Sequence, residues 1–235
     1  MIKDVDVLAR EWADPHVGAD HELARMMDPP VPWERAVVLG DSIAEGLREP
    51  VPGYRDLSWA DRVSAALTFA RPGAVLFNLG RRDLLAAEVR ERQLERALSL
   101  RPGLAIVTAG GNDALRRRFD PDRLADDLRA LLTPLRDAGA DVLTTDMYEW
   151  DVNPYMPARF APVWGPNLTA TTEVIRAVSA EVGGLHARLR EGPAARDVDR
   201  FSTDGLHLNA RGHGILATDL ARALGAARQV VASGV

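Results

Sequence analysis

The residues able to do chemistry in this chain follow apolar runs that end in glycine, or lie close together near the C-terminus. Asp41 and Ser42 follow Ala36 to Gly40 (AVVLG), and Gly80 closes Ala74 to Gly80 (AVLFNLG). Asn112 follows Leu104 to Gly110 (LAIVTAG), and Asp204 and His207 stand three residues apart. A hydroxyl is a poor nucleophile until a neutral imidazole within hydrogen-bond reach takes its proton, and a carboxylate beside the imidazole fixes its tautomer. Ser42, His207 and Asp204 are therefore the candidate nucleophile, base and orienting acid, since one turn can carry both Asp204 and His207 to the same place. The backbone N–H groups of Ser42 and Gly80 and the side-chain amide of Asn112 are candidate donors to a developing oxyanion, where one donor is worth roughly 2.7–4 kcal/mol. Together these types suit acyl transfer.

Such residues converge only if the apolar runs are neighbouring strands of one open parallel sheet, because ligands bind outside the carboxyl ends of those strands. The run at Ala36 has the pattern of a strand buried on both faces, and Ala74 to Gly80, Leu104 to Gly110 and Ala140 to Thr145 share it. A short fifth strand is expected near Asp197 to Asp199. Helical periodicity covers Leu57 to Ala70, Leu84 to Leu98, Pro121 to Ala138, Leu168 to Leu189 and Asn209 to Leu224, with Asp120 as N-cap and Pro121 at the first position of the third. Strand and helix alternate about every 30 residues, which predicts an α/β fold, a three-layer α/β/α sandwich with a five-stranded parallel sheet.

Four blocks in this order resemble the SGNH hydrolases, also called the GDSL esterase/lipase family. They are Gly40-Asp41-Ser42-Ile43-Ala44-Glu45-Gly46, with isoleucine where the family usually has leucine, the glycine of Asn78-Leu79-Gly80, Gly110-Gly111-Asn112-Asp113, and Asp204-Gly205-Leu206-His207-Leu208-Asn209. The resemblance spans about residues 35 to 225. It implies a flavodoxin-like hydrolase fold, a triad of Ser42, Asp204 and His207, and oxyanion donors at Ser42, Gly80 and Asn112. Many members carry a small residue and another glycine after the second block, whereas this chain has Arg81-Arg82-Asp83, a helix start or a contact for an anionic substrate group.

Residues 1–34 read as an N-terminal arm and 35–235 as the hydrolase domain. The arm holds a candidate amphipathic helix (Val5, Leu8, Trp12) and a rigid Pro29-Pro30-Val31-Pro32 stretch, and Trp12 and Trp33 are candidate contacts for a homodimer partner. The Pro-rich segment from Tyr148 to Pro166 contains Tyr148, Trp150, Tyr155, Phe160 and Trp164, five of the thirteen aromatic residues. Tyr148, Trp150, Tyr155 and Trp164 are candidate walls of a substrate pocket, the alternative being a satellite core under a long loop. His186 and His213 are expected on helices in packing or surface roles, and Asp146 is the weaker rival for the orienting acid. His16 and His21 lie near Asp14, Asp20 and Glu22 without a recognised metal-ligand pattern.

With 235 residues, 46% hydrophobic and 27% charged, the chain is globular rather than disordered or membrane-spanning. A net charge of −5 argues against nucleic acid as partner, and the absence of cysteine excludes disulfides, thiolate catalysis and Cys-ligated metals. The acidic start has no signal-peptide pattern, so a cytoplasmic protein is expected. The expected function is a serine esterase acting on a small-molecule ester with no cofactor. An acyltransferase or a deacylase of a sugar, lipid or natural-product ester is the alternative, and an idle binding module on the same scaffold is the rival of a different class.

Overall fold

A computed structural model describes residues 8–28 and 30–233. The apolar runs form strands β1 (Arg35–Gly40), β2 (Val75–Asn78), β3 (Leu104–Thr108) and β4 (Asp141–Thr145), joined by β5 (Leu185–Ala187). Their order is β2-β1-β3-β4-β5, and every neighbouring pair is parallel. Val38 stands level with Asn78 on one side and Ile106 on the other, so the carboxyl ends of β1 and β3 finish side by side. Strand order reverses between these two, the place where sheets of this kind open a crevice.

Side chains alternate between the sheet faces with period two, and each face carries its own core. Ala36, Val38, Leu104 and Ile106 pack with α2 (Asp20–Met26), α4 (Trp59–Ala70) and α9 (Ala210–Ser233). Val37, Leu39, Ala105 and Val107 pack with α5 (Ala86–Ser99), α7 (Pro121–Asp137) and α8 (Ala161–Glu181). In α7 the Asp120 side chain accepts from the N–H groups of Asp122 and Arg123, and Leu124, Leu128, Leu131 and Leu135 form its buried stripe. Each fully buried leucine contributes about 1.5–3 kcal/mol. Two helices of a single turn, α3 (Ser42–Glu45) and α6 (Gly111–Ala114), stand directly after β1 and β3.

Several expectations are corrected. The β2 run pairs with β1 alone, and as an edge strand it leaves Val75 and Phe77 exposed at 44% and 36% rather than doubly buried. The fifth strand lies at Leu185–Ala187, not near Asp197, where Val198–Arg200 is a 3-10 turn. The helix expected over Leu168 to Leu189 runs from Ala161 to Glu181, which places His186 on β5. The Pro-rich Tyr148 to Pro166 segment is not one long loop: Trp150–Val152 makes a 3-10 turn and α8 has begun by Ala161.

In the arm, α1 (Ala9–Ala13) and α2 lie against the sandwich through buried charge. Glu11 pairs with Arg62 at 2.9 Å and Arg55 at 2.7 Å, and Asp14 pairs with Arg211 at 2.6 Å. Trp33 is core, its Nε1–H donating to Asp141 at 2.9 Å, so it is closed to a partner subunit, while Trp12 is exposed. Val5 and Pro29 lie outside the described residues. Among the described residues no helix is long and apolar enough to cross a membrane.

Candidate active site

Ser42 owes its position to Gly40 and Asp41. Gly40 has φ 146°, and a Cβ there would collide with the Thr108 carbonyl, so glycine lets β1 and β3 close up beneath Ser42. Asp41 then caps α3, its Oδ1 accepting from Ile43 N–H at 3.0 Å, which leaves Ser42 as the first residue of that helix. Burial pushes the Asp41 carboxyl up to about 7, with the nearby Asp113 charge adding to the effect.

The Asp204 to His207 turn arrives from the far end of the chain. His207 Nε2 lies 2.9 Å from Ser42 Oγ, and its Nδ1 lies 2.6 Å from Asp204 Oδ2. Asp204 Oδ1 also accepts from the N–H groups of Leu206 and His207, at 2.8 and 2.9 Å. Burial raises the Asp204 carboxyl, but the His207 ring and these two N–H groups outweigh it and hold the group below the usual carboxylate range. An ionised Asp204 accepts the proton on Nδ1, which leaves the Nε2 lone pair to accept from the Ser42 hydroxyl.

Two residues the sequence did not single out fasten this turn. Glu49 Oε2 accepts from both the N–H and the hydroxyl of Thr203, at 2.7 and 2.9 Å. Buried Asn153 donates through Nδ2 to Gly205 O at 3.2 Å. Neither shows in a local motif, because 154 residues separate Glu49 from Thr203 and 52 separate Asn153 from Gly205.

Asn112 lines the cavity beside Ser42 with one amide hydrogen held by Leu84 O at 3.0 Å, so the other is free to donate. Gly80 is placed differently from the expectation. Its N–H donates to Asn78 Oδ1 at 2.9 Å, and the residue packs so tightly against Ala44 and Glu45 that a Cβ would collide with them. The divergent Arg81-Arg82-Asp83 stretch is accommodated with Asp83 at φ 69°, the left-handed region that aspartate tolerates better than most residues. Arg82 is clamped to Glu45 at 2.6 Å, and Arg81 is exposed.

A cavity of about 100 Å³ is lined by Ser42, His207 and Asn112 together with the apolar side chains of Ile43, Leu115, Met147, Leu168 and Leu216. Of the four aromatic candidates, Tyr148 lines it, with the Arg200 guanidinium 4.8 Å from its ring centroid. Tyr155 lines a separate cleft with Arg10, Tyr54 and Arg211, because the turn at Asn153 carries it away from Ser42. Trp164 stacks on Phe160 at 4.2 Å and does not reach the cavity. The side chain of Trp150 lies outside the described residues.

Asp146 does not touch His207. It holds His186 Nε2 at 2.7 Å and Arg176 in a fork at 2.7 Å, while His186 Nδ1 meets Thr144 Oγ1 at 2.7 Å. Burial works against ionisation of Asp146, yet the hydrogen bonds from His186, Arg176 and Arg190 N–H push its carboxyl far below the usual range. His213 is a packed residue of α9, accepting Trp59 N–H at Nδ1 and donating to Leu47 O, and burial lowers it to about 4. In the arm, Asp14 is engaged by Arg211, Asp20 by Arg55 and Glu22 by Ala19 N–H. Among the described residues, no group of three or more His, Cys, Asp or Glu side chains could hold a metal ion.

The family match, together with the fold, makes this chain a serine ester hydrolase. The chain belongs to the GDSL-like Lipase/Acylhydrolase family, whose model matches residues 38–215. It is similar in structure to an acetylxylan esterase from Geobacillus stearothermophilus, with a TM-score of 0.65 and 18% identity over 82% of this chain and 94% of that one. TesA gives a TM-score of 0.65 and 21% identity over 81% and 97% of the two chains. An alpha/beta hydrolase enzyme from the metagenome of Lake Arreo gives 0.64 and 19% over 82% and 95%. At these identities the likeness to the three structures speaks for the fold. No curated protein matches this chain.

Proposed function

We propose that this protein hydrolyses small carboxylic esters through an acyl-enzyme on Ser42, with His207 as base and Asp204 as orienting acid. The observation that carries the proposal is the continuous chain from Ser42 Oγ to His207 Nε2 (2.9 Å) and from His207 Nδ1 to Asp204 Oδ2 (2.6 Å) beside a mostly apolar cavity. As Ser42 Oγ bonds to the ester carbon, its proton passes to His207 Nε2 and negative charge gathers on the carbonyl oxygen. Ser42 N–H, at the start of α3, and the free amide hydrogen of Asn112 are the donors to that charge. Gly80 N–H joins them only by leaving Asn78. His207 returns the proton to the departing alcohol, and water attacks the acyl-enzyme by the same route to release the acid and free Ser42.

Turnover of p-nitrophenyl acetate and butyrate by the wild type and by Ser42→Ala and His207→Ala tests this. The wild type is expected to hydrolyse at least one ester and both variants to lose at least about 10³ in kcat. Wild-type turnover by a correctly folded Ser42→Ala would overturn the proposal.

A further inference from the structure

We propose that the cavity beside Ser42 selects short acyl groups carrying a hydroxyl on the first or second carbon beyond the carbonyl, read by Thr108 Oγ1 and the Asp41 carboxyl. This rests on the ester-hydrolase reading above and names its substrate class, short hydroxyacyl esters. A cavity of about 100 Å³ is smaller than the roughly 150 Å³ that accommodates benzene, which suits a short acyl group better than a long one.

Its lining is mostly apolar, but Thr108 and Asp41 are part of it. Thr108 is 4% exposed, lines the cavity and has a buried Oγ1 with no hydrogen-bond partner. A buried hydroxyl left without a partner costs free energy, and valine would fill the same volume at the end of β3 without that cost. Asp41, also 4% exposed, lies directly beside it, with its N–H donating to Thr108 O at 3.3 Å. Its Oδ1 is occupied by Ile43 N–H, while Oδ2 faces the wall at Gly111. Below about pH 7 burial keeps this carboxyl protonated, a donor as well as an acceptor. The other carboxylate on the lining, Asp146, is committed to His186 and Arg176. A substrate hydroxyl between Thr108 and Asp41 gives the orphaned oxygen its partner. Because Asp41 is the residue before Ser42, that hydroxyl belongs close to the ester carbonyl.

The test compares ethyl butyrate with ethyl 3-hydroxybutyrate and ethyl lactate by pH-stat at pH 6.5, a condition chosen to lie just below about 7. The wild type is expected to favour at least one hydroxyester over butyrate by about tenfold or more in kcat/KM, since a site built to bond a hydroxyl discriminates against the analogue lacking it. Thr108→Val is expected to bring that ratio close to one, and Thr108→Ser, which restores a hydroxyl, to recover most of it. A wild type with no preference overturns the inference while butyrate turnover leaves the ester-hydrolase reading standing. So does a Thr108→Val enzyme whose ratio is unchanged. Turnover of none of these esters, nor of the p-nitrophenyl esters, overturns both.

Discussion

Glu11→Gln tests whether buried charge fixes the arm to the sandwich. Glu11 is 3% exposed and takes four hydrogen bonds, two from Arg62 at 2.9 Å and two from Arg55 at 2.7 Å. Arg62 is itself 1% exposed, so glutamine leaves it with no full counter-charge. Burial pushes the Glu11 carboxyl up, but the two arginines prevail and hold it at about 2 against the ordinary 4.5. That difference corresponds to about 3 kcal/mol of folding free energy, and breaking a buried ion pair costs about 3–5 kcal/mol, so the two routes agree. Because the folded value is depressed, the contribution is complete above about pH 4.5 and disappears as pH falls toward about 2. Urea unfolding at pH 7 should show the variant midpoint lower by about 1–2 M for an m-value of about 2–3 kcal/mol/M. Between pH 4.5 and 2 the wild type should lose stability more steeply than the variant. An unchanged midpoint at pH 7 would refute the reasoning and make the Glu11 cluster an incidental contact.

Three further outcomes follow from the site. Asn112→Ala should lower kcat by about 10²–10³ with little change in KM, the loss of one oxyanion donor, and a loss confined to KM would contradict that role. Asp204→Asn keeps the shape but favours the wrong imidazole tautomer, and steady-state kinetics should show kcat lower by about 10²–10⁴. Glu49→Ala should lower kcat about tenfold by loosening the turn that carries His207, and Glu49→Gln, which keeps an acceptor for Thr203, should restore most of it. Equal losses in the two Glu49 variants would contradict the positioning role.

What the sequence made legible follows from which signals are local. Runs such as AVVLG and LAIVTAG mark β1 and β3 because doubly buried strands are continuous in their apolar residues, and their ends place Ser42 and Asn112. The same signal misleads at Val75 to Asn78, where an edge strand carries an equally apolar run while exposing Val75 and Phe77. At His186 the helical period of α8 masked a three-residue strand, although Gly183-Gly184 stood before it as a turn signal. Tyr155 and Trp164 looked like pocket walls by composition alone, and only the path of the chain decides that Tyr148 reaches the cavity. Gly80 shows the limit at the site itself. Asn78, two residues away, accepts the N–H that the family resemblance would give to an oxyanion. Glu49 and Asn153 act across long sequence separations, so no pattern announces them.

The central claim is that Ser42 is the nucleophile, activated by His207. Intact-mass and peptide mass spectrometry after exposure to a fluorophosphonate measures this without assuming any substrate. A single adduct on the peptide containing Ser42, formed far more slowly in His207→Ala, is the predicted result. An unlabelled wild type, or an adduct on another residue with Ser42 unmodified, would contradict the account.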